Sequence, residues 1–336
     1  MKADSKIAIF ALGGTIASSN SGQPGVEINV SGLDLVADLA RYFDVGKTEV
    51  HQVRNVASGD ITWADIFDLR DQVEEVITLG STGVVVTQGT NTLEETSYLF
   101  DLLYSGSVPV IFTGAMRNTS SSGADGPANL LASIQVASSS AARNLGVLVV
   151  INDQIHAARH VRKTHTTSVA TFLSATAGPL GYVHEGAVRI HSRPVGRYNL
   201  SIPTGTVLAR VAAIPSLFDG DKVLIESVPN LGYQGLVIMG FGGGQISSWL
   251  VDSVATVAQQ IPVVLSSRTG SGEMLRQTYG YAGSEIDLLQ CGIVSGGWLN
   301  WTHTVVLLRL LLSVGTKTGD LQDSFDRACN LDIFTD

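Results

Sequence analysis

Short apolar runs recur along the chain, and stretches with helical spacing fall between them. The runs Ile7–Leu12, Gly83–Thr87, Val108–Thr113, Gly146–Ile151, Gly235–Met239 and Val263–Ser266 are rich in β-branched and aliphatic residues and lack the in/out alternation of a half-exposed strand. Amphipathic stretches of helix length occur at Leu33–Tyr42, Ala64–Leu79, Leu93–Tyr104, Pro127–Ser138 and Ser247–Gln260. Strands apolar on both faces, alternating with helices, predict a mostly parallel sheet covered on both sides. Ligands of such sheets bind beyond the carboxyl ends of the strands. The strand-to-turn junctions are therefore the places to look for chemistry.

Residues 192–205, SRPVGRYNLSIPTG, carry prolines and glycines and no periodicity, as a linker does. The predicted class is α/β with two domains. Residues 1–193 form a larger N-terminal domain, a mostly parallel sheet flanked by helices. Residues 194–206 link it to a smaller C-terminal α/β domain, 207–336. The run Val305–Val314 is interrupted by Arg309 and reads as a buried helix. It is too short for a bilayer, which needs ~20 apolar residues.

Composition narrows the partners. Of 336 residues, 44% are hydrophobic, 15% charged, and 36 are glycine, a profile of a compact α/β enzyme with tight turns. A net charge of −9 with scattered basic residues argues against nucleic acid. The two cysteines, Cys291 and Cys329, make neither a disulfide framework nor a metal spacing and read as buried small side chains. The start, MKADSKIAIFALGGTIA, lacks the long apolar region and cleavage site of a secretory signal. The expectation is a cytoplasmic protein with no membrane segment.

Two junctions stand out. The first is Ala11-Leu12-Gly13-Gly14-Thr15-Ile16-Ala17. Paired glycines let the backbone turn sharply and approach a ligand. Thr15 at the strand tip serves either as a nucleophile or as a helix cap. Neither the dinucleotide fingerprint nor the phosphate-binding loop pattern is present. The second is Val84-Val85-Val86-Thr87-Gln88-Gly89-Thr90-Asn91-Thr92-Leu93-Glu94-Glu95-Thr96. Thr92 with Glu95 three residues on is a capping-box pattern. Thr90 is one step too early for that cap and has no such structural use.

Together, GGTIA and TQGTNTLEET resemble the two signature motifs of the bacterial-type L-asparaginase and glutaminase-asparaginase family. Further matches follow in order: Gly114-Ala115-Met116-Arg117, Asp125-Gly126-Pro127-Ala128-Asn129-Leu130, Lys163-Thr164-His165-Thr166-Thr167, Gly181-Tyr182-Val183-His184 and Ser266-Ser267-Arg268. The resemblance covers nearly the whole chain. It implies hydrolysis of a carboxamide or related C–N amide through a threonine ester, with no metal and no cofactor. By position Thr15 matches the primary nucleophile, and Thr90, Asn91 and Lys163 match the second triad, which handles the water. The catalytic set is then Thr15, Thr90 and Lys163; the substrate-binding set is Ser58, Gly59, Gly89, Asn91 and Glu285. Ser58 matches a holder of the substrate α-carboxylate. Glu285 matches a glutamate donated by the neighbouring subunit of a homotetramer whose sites are shared between paired subunits. The partner it implies is a small-molecule amide.

Residue chemistry fits these roles. A threonine hydroxyl is a poor nucleophile until a base takes its proton. Lysine is such a base when burial lowers its pKa; on a wet surface Lys163 would instead form a salt bridge. Backbone amides at strand ends can supply an oxyanion hole worth ~3–4 kcal/mol.

Three departures change the substrate expectation. The family pattern has aspartate where this chain has Asn91, and that carboxylate grips the substrate's α-ammonium. A polar residue commonly follows the serine, where this chain has Gly59. Relatives carry a lid tyrosine, and Ser18–Glu27 has none; the first tyrosine is Tyr42. The expected substrate is then not free asparagine, or not only that. The alternatives are an ordinary asparaginase in which Glu285 alone holds the ammonium, and a disabled scaffold with a binding role.

Overall fold

The computed structural model describes residues 6–22, 25–37, 39–40, 48–203 and 205–331. The chain divides into two compact units, Met1–Val195 and Gly196–Asp336. In chain order the first contains β1 (Ile7–Gly13), β2 (Ser18–Asn20), β3 (Val26–Ile28), α1 (Gly32–Ala37), β4 (Thr48–Val56), α2 (Trp63–Thr78), β5 (Gly83–Thr87), α3 (Leu93–Leu103), β6 (Val110–Thr113), α4 (Gly126–Ala137), β7 (Val147–Ile151), β8 (Gln154–Ala157), β9 (Arg162–Lys163), β10 (Phe172–Leu173), β11 (Gly181–His184) and β12 (Ala187–Ile190). The main sheet has the order β12-β11-β8-β7-β6-β5-β1-β4 among the described residues. Its pairs β4–β1–β5–β6–β7 are parallel, and β8, β11 and β12 extend it antiparallel.

The central strands are dry. Every residue of β1, β5, β6 and β7 is buried. Each fully buried Val, Leu, Ile or Phe is worth ~1.5–3 kcal/mol, so these strands hold the unit together. Phe100 of α3 packs edge-on against Phe112 of β6 at 5.5 Å between ring centres. Asp101 of α3 accepts the Val147 N–H at 2.8 Å and pairs with buried Arg159 at 3.2 Å, tying the helix to the start of β7.

The second unit holds β13 (Val211–Pro215), α5 (Val223–Ser227), β14 (Gly235–Gly240), α6 (Val251–Ala258), β15 (Val263–Ser267), α7 (Glu285–Gln290), β16 (Val294–Ser295), α8 (Trp301–Ser313) and α9 (Leu321–Ala328). Its sheet, β13-β14-β15-β16, is parallel throughout. The two-domain α/β expectation holds in both units. The buried helix expected at Val305–Val314 is α8, started by Asn300, whose side chain accepts the His303 N–H.

Several local expectations need correction. The helix predicted over Leu33–Tyr42 is described as Gly32–Ala37, and Tyr42 lies outside the described residues. The apolar pattern missed β4, an edge strand paired on one side only, whose residues are half-buried or exposed. It also missed the β7–β8 and β11–β12 hairpins. Their turns, Asn152-Asp153 and Glu185-Gly186, have φ of 52°, 59°, 50° and 73°. Paired positive φ values are the signature of the two-residue type I′ turn. Cys329 is buried, but Cys291 is only half-buried; both are free thiols.

Candidate active site

The site begins with the register of neighbouring parallel strands. β1 pairs with β5, Ala11 opposite Thr87, so the two glycine-threonine turns leave the sheet side by side. Gly13 and Gly14 have φ of 105° and 83°. A Cβ on Gly14 would sit 2.1 Å from the Gly89 backbone nitrogen, and one on Gly89 would sit 2.9 Å from Ser58 Oγ. Glycine is required by the space as well as by the backbone angle. These contacts join the turns after β1, β4 and β5.

Thr15 opens a 3-10 turn, Thr15–Ala17, and is half-buried. No side-chain capping bond forms there, so Thr15 is not the cap that the sequence allowed. The turn is closed instead by Ala17 N–H and Ser18 Oγ, which both donate to Gly14 O at 2.9 Å. Ser58 is buried, and its Oγ accepts the Asn91 N–H at 3.2 Å. The capping box expected at Thr92 and Glu95 is absent. The Thr92 hydroxyl donates to the Ser58 carbonyl at 2.8 Å. The Ser58 carbonyl, which also accepts the Ile61 N–H at 3.3 Å, has taken the hydroxyl that would have capped α3. At Gly59 an added Cβ would meet nothing within 4 Å, so the position is open.

Lys163 arrives from a different part of the sequence. It lies on β9, opposite Phe172 of β10, at the mouth of a loop closed by Thr164 N–H to Thr171 O at 2.8 Å and His165 N–H to Thr171 Oγ1 at 2.7 Å. Its Nζ donates to Thr90 Oγ1 at 2.9 Å and to Asn91 Oδ1 at 3.1 Å. Its backbone N–H donates to Glu94 Oε2 at 2.7 Å. Burial holds the ammonium below its ordinary pKa, and the Glu94 carboxylate partly opposes that. The surface salt bridge considered for this lysine does not occur; its Nζ is bonded to a hydroxyl and an amide.

The structure thus brings together Ser58, Gly59, Gly89, Thr90, Asn91 and Lys163, with the Thr15 turn alongside. Glu285 is in the second unit. It is fully buried, with Oε1 accepting the Thr278 and Tyr279 N–H groups at 2.9 and 2.6 Å and Oε2 accepting Gln245 Nε2 at 3.1 Å. The described ends of the tyrosine-free segment after Thr15 pair as β2 and β3, Ser18 opposite Ile28. Thr119 donates to Ser18 O through both N–H and hydroxyl, at 2.9 and 2.8 Å. Among the described residues no group of three or more His, Cys, Asp or Glu could hold a metal, and no helix is long and apolar enough to cross a membrane.

The family profiles described as "Asparaginase, N-terminal" and "Glutaminase/Asparaginase C-terminal domain" match residues 6–196 and 210–325. The chain belongs to the asparaginase family. It is 32% identical to "L-asparaginase 2" of Escherichia coli, over 96% of this chain and 92% of that protein. It is 32% identical to "Probable L-asparaginase" of Deinococcus radiodurans, over 95% and 97%. The crystal structure titled "Probable Cytoplasmic L-asparaginase from Campylobacter jejuni" superposes with a TM-score of 0.86 at 30% identity, over 96% of this chain and 99% of that one. The protein is an amidohydrolase of the asparaginase type, a hydrolase acting on amide C–N bonds.

Sequence reasoning did not single out Glu94, which bonds the Lys163 main chain, or its neighbour Glu95. Their signal was a carboxylate pair in the first turn of α3, next to the Thr90 motif. Glu95 has a buried Oε2 without a hydrogen-bond partner. Burial, and then the charge of Glu94, push its carboxyl from an ordinary 4.5 up to about 7. Between those pH values the unfolded chain has released this proton and the folded chain keeps it. Stability should therefore fall as pH rises from about 4.5 to about 7 and level off above. Glu95→Gln should flatten that part of the profile. Urea unfolding at about pH 5 and about pH 8 measures it; an equal loss in both proteins would show that Glu95 is not the group responsible.

Proposed function

We propose that the protein hydrolyses its amide through Thr15, with Thr90 and Lys163 managing the water, and that its substrate carries no free α-ammonium at the Asn91 subsite. The Thr15 hydroxyl adds to the amide carbon, the C–N bond breaks, and the hydroxyl proton leaves with the amine. The threonine ester is then attacked by water, with Lys163 in its neutral form drawing the proton through Thr90. The tetrahedral adduct collapses to release the acid, and the proton held by Lys163 returns by way of Thr90 to the Thr15 oxygen, restoring both the hydroxyl and the neutral lysine.

One observation carries the substrate reading: Lys163 Nζ donates to both Thr90 Oγ1 and Asn91 Oδ1. An aspartate has a second oxygen free to accept from a substrate ammonium. Asn91 has a single, uncharged oxygen, already accepting from Lys163, and its other terminal group is an NH2 that only donates. A donor repels an ammonium and suits an acyl carbonyl, as in an N-acylated amino acid or a lactam. Gly59 adds no competing side chain. A second reading, hydrolysis of free asparagine, is favoured by the names of the relatives.

The assembly we propose is a homotetramer with sites shared between paired subunits, Glu285 facing the site of the neighbour. The family match at this position supports the reading; within one subunit its oxygens already accept from Thr278, Tyr279 and Gln245. Static light scattering on the active enzyme tests it; an active monomer would remove Glu285 from the site.

Thr15→Ala should abolish amide hydrolysis with the fold intact by circular dichroism. Retention of more than about a tenth of wild-type turnover, only ~1.4 kcal/mol of barrier, would contradict the nucleophile assignment.

Asn91→Asp should restore an ammonium grip. Removing one partner of a close desolvated charge pair commonly costs ~2–5 kcal/mol, roughly thirtyfold to several thousandfold in affinity. The ratio of kcat/KM for free asparagine to that for N-acetyl-asparagine should rise by a factor in that range. A ratio that stays constant, or moves toward the blocked amide, would favour ordinary asparagine hydrolysis.

A further inference from the structure

Glu94 lies in the first turn of α3, where a carboxylate ordinarily serves only the helix dipole. Here it is only 8% exposed, and its Oε2 reaches across to the backbone N–H of Lys163 at 2.7 Å. The side chain of that lysine returns to Thr90 and Asn91, in the turn just before α3. Lys163 is therefore gripped twice by one helix start, at its main chain and at its ammonium. The two anchors are 69 and 72 or 73 residues away in sequence.

We propose that Glu94 is the positioning residue of Lys163: its carboxylate pins the main chain of β9 to α3 and provides the negative charge near an ammonium whose immediate neighbour, Asn91, is neutral. The proposal rests on the reading of Lys163 as the residue that handles the water. It adds the group that places the lysine and sets its charge.

The groups around the ammonium support this. Thr90 and Asn91, from the turn after β5, are uncharged. Phe172, its partner on β10, is apolar. Glu95, next along α3, keeps its proton up to about 7. The Glu94 charge acts on Lys163 in the direction opposite to burial. Where the family pattern places a carboxylate against the lysine, this chain has Asn91, and Glu94 is the negative charge that remains. Removing that charge leaves burial unopposed, so the lysine should lose its proton at lower pH.

Two substitutions separate the two roles. Glu94→Gln keeps an oxygen that can accept the Lys163 N–H but removes the charge. Glu94→Ala removes both. Competitive acetylation with acetic anhydride across pH, read at Lys163 by mass spectrometry, follows the ammonium without any substrate. Hydrogen exchange of the peptide containing Lys163 follows the main-chain bond. In both variants the acetylation midpoint should move to lower pH than in wild type. Exchange at Lys163 should stay slow in Glu94→Gln and become roughly fivefold faster in Glu94→Ala, as for loss of one net hydrogen bond. Coincident acetylation curves for wild type and Glu94→Gln overturn the charge role. Equal exchange in wild type and Glu94→Ala overturns the pinning role. A third variant, Lys163→Ala, is assayed for ammonia release: full activity there rejects the reading of Lys163 itself, and the labelling and exchange results still decide what Glu94 does to it.

Discussion

The parallel pairing of β1 with β5 is the constraint on which the site depends. It puts two strand ends, and the turns that follow them, in adjacent positions with matched register. The turns can then meet only if no side chain intervenes. Gly14 lies against the Gly89 backbone, and Gly89 against Ser58, at spacings where a Cβ would collide. Ser58 then seals the contact by taking the Asn91 N–H on its hydroxyl and the Thr92 hydroxyl on its carbonyl. A sheet buried on both faces supplies the rigidity this requires. Side chains placed on its strand ends move little relative to one another, as catalysis by preorganised groups demands.

On that frame the proposed chemistry turns on a single lysine. Burial makes its neutral form easier to reach, and the hydroxyl of Thr90 and the amide of Asn91 hold its nitrogen. In a pattern with aspartate at this position, charge would be balanced at the ammonium itself. Here the proposed balancing carboxylate is that of Glu94, which is bonded to the lysine's own main chain. On the proposed reading, moving the negative charge away from the subsite changes what the subsite binds. With its oxygen on Lys163, Asn91 has an NH2 in place of a second carboxylate oxygen, and a donor selects acceptors. Specificity built from one unpaired polar group can be large, because burying the wrong partner leaves a hydrogen bond unmade.

The acidic start of α3 carries a cost. Two adjacent carboxyls are enclosed, and Glu95 answers by holding its proton up to about 7. A buried carboxyl oxygen without a partner is destabilising at neutral pH. Functional sites commonly retain such features. The helix is held in place elsewhere, by Asp101 on the Val147 N–H and on Arg159, and by Phe100 against Phe112.

The sequence by itself determined the architecture and the two junctions that matter. Apolar runs set the central strands, because strands covered on both faces have no polar side to show. The Gly-Gly-Thr and Gly-Thr-Asn turns were legible because glycine and hydroxyl residues at strand ends have few other uses. β4, β11 and β12, whose residues are largely half-buried or exposed, left no such pattern, and buried β8 is short and carries Gln154 and His156; only the Asn-Asp and Glu-Gly turns hinted at the hairpins. Tertiary structure decided everything that depends on residues distant in sequence. Thr92 with Glu95 satisfies a local rule for a helix cap, but the carbonyl of Ser58, 34 residues earlier, takes the hydroxyl instead. Glu94 reads as an ordinary first-turn acid until the fold brings Lys163, 69 residues later, against it. Local propensity can state what a residue is able to bond; only the packing of the chain states which partner arrives.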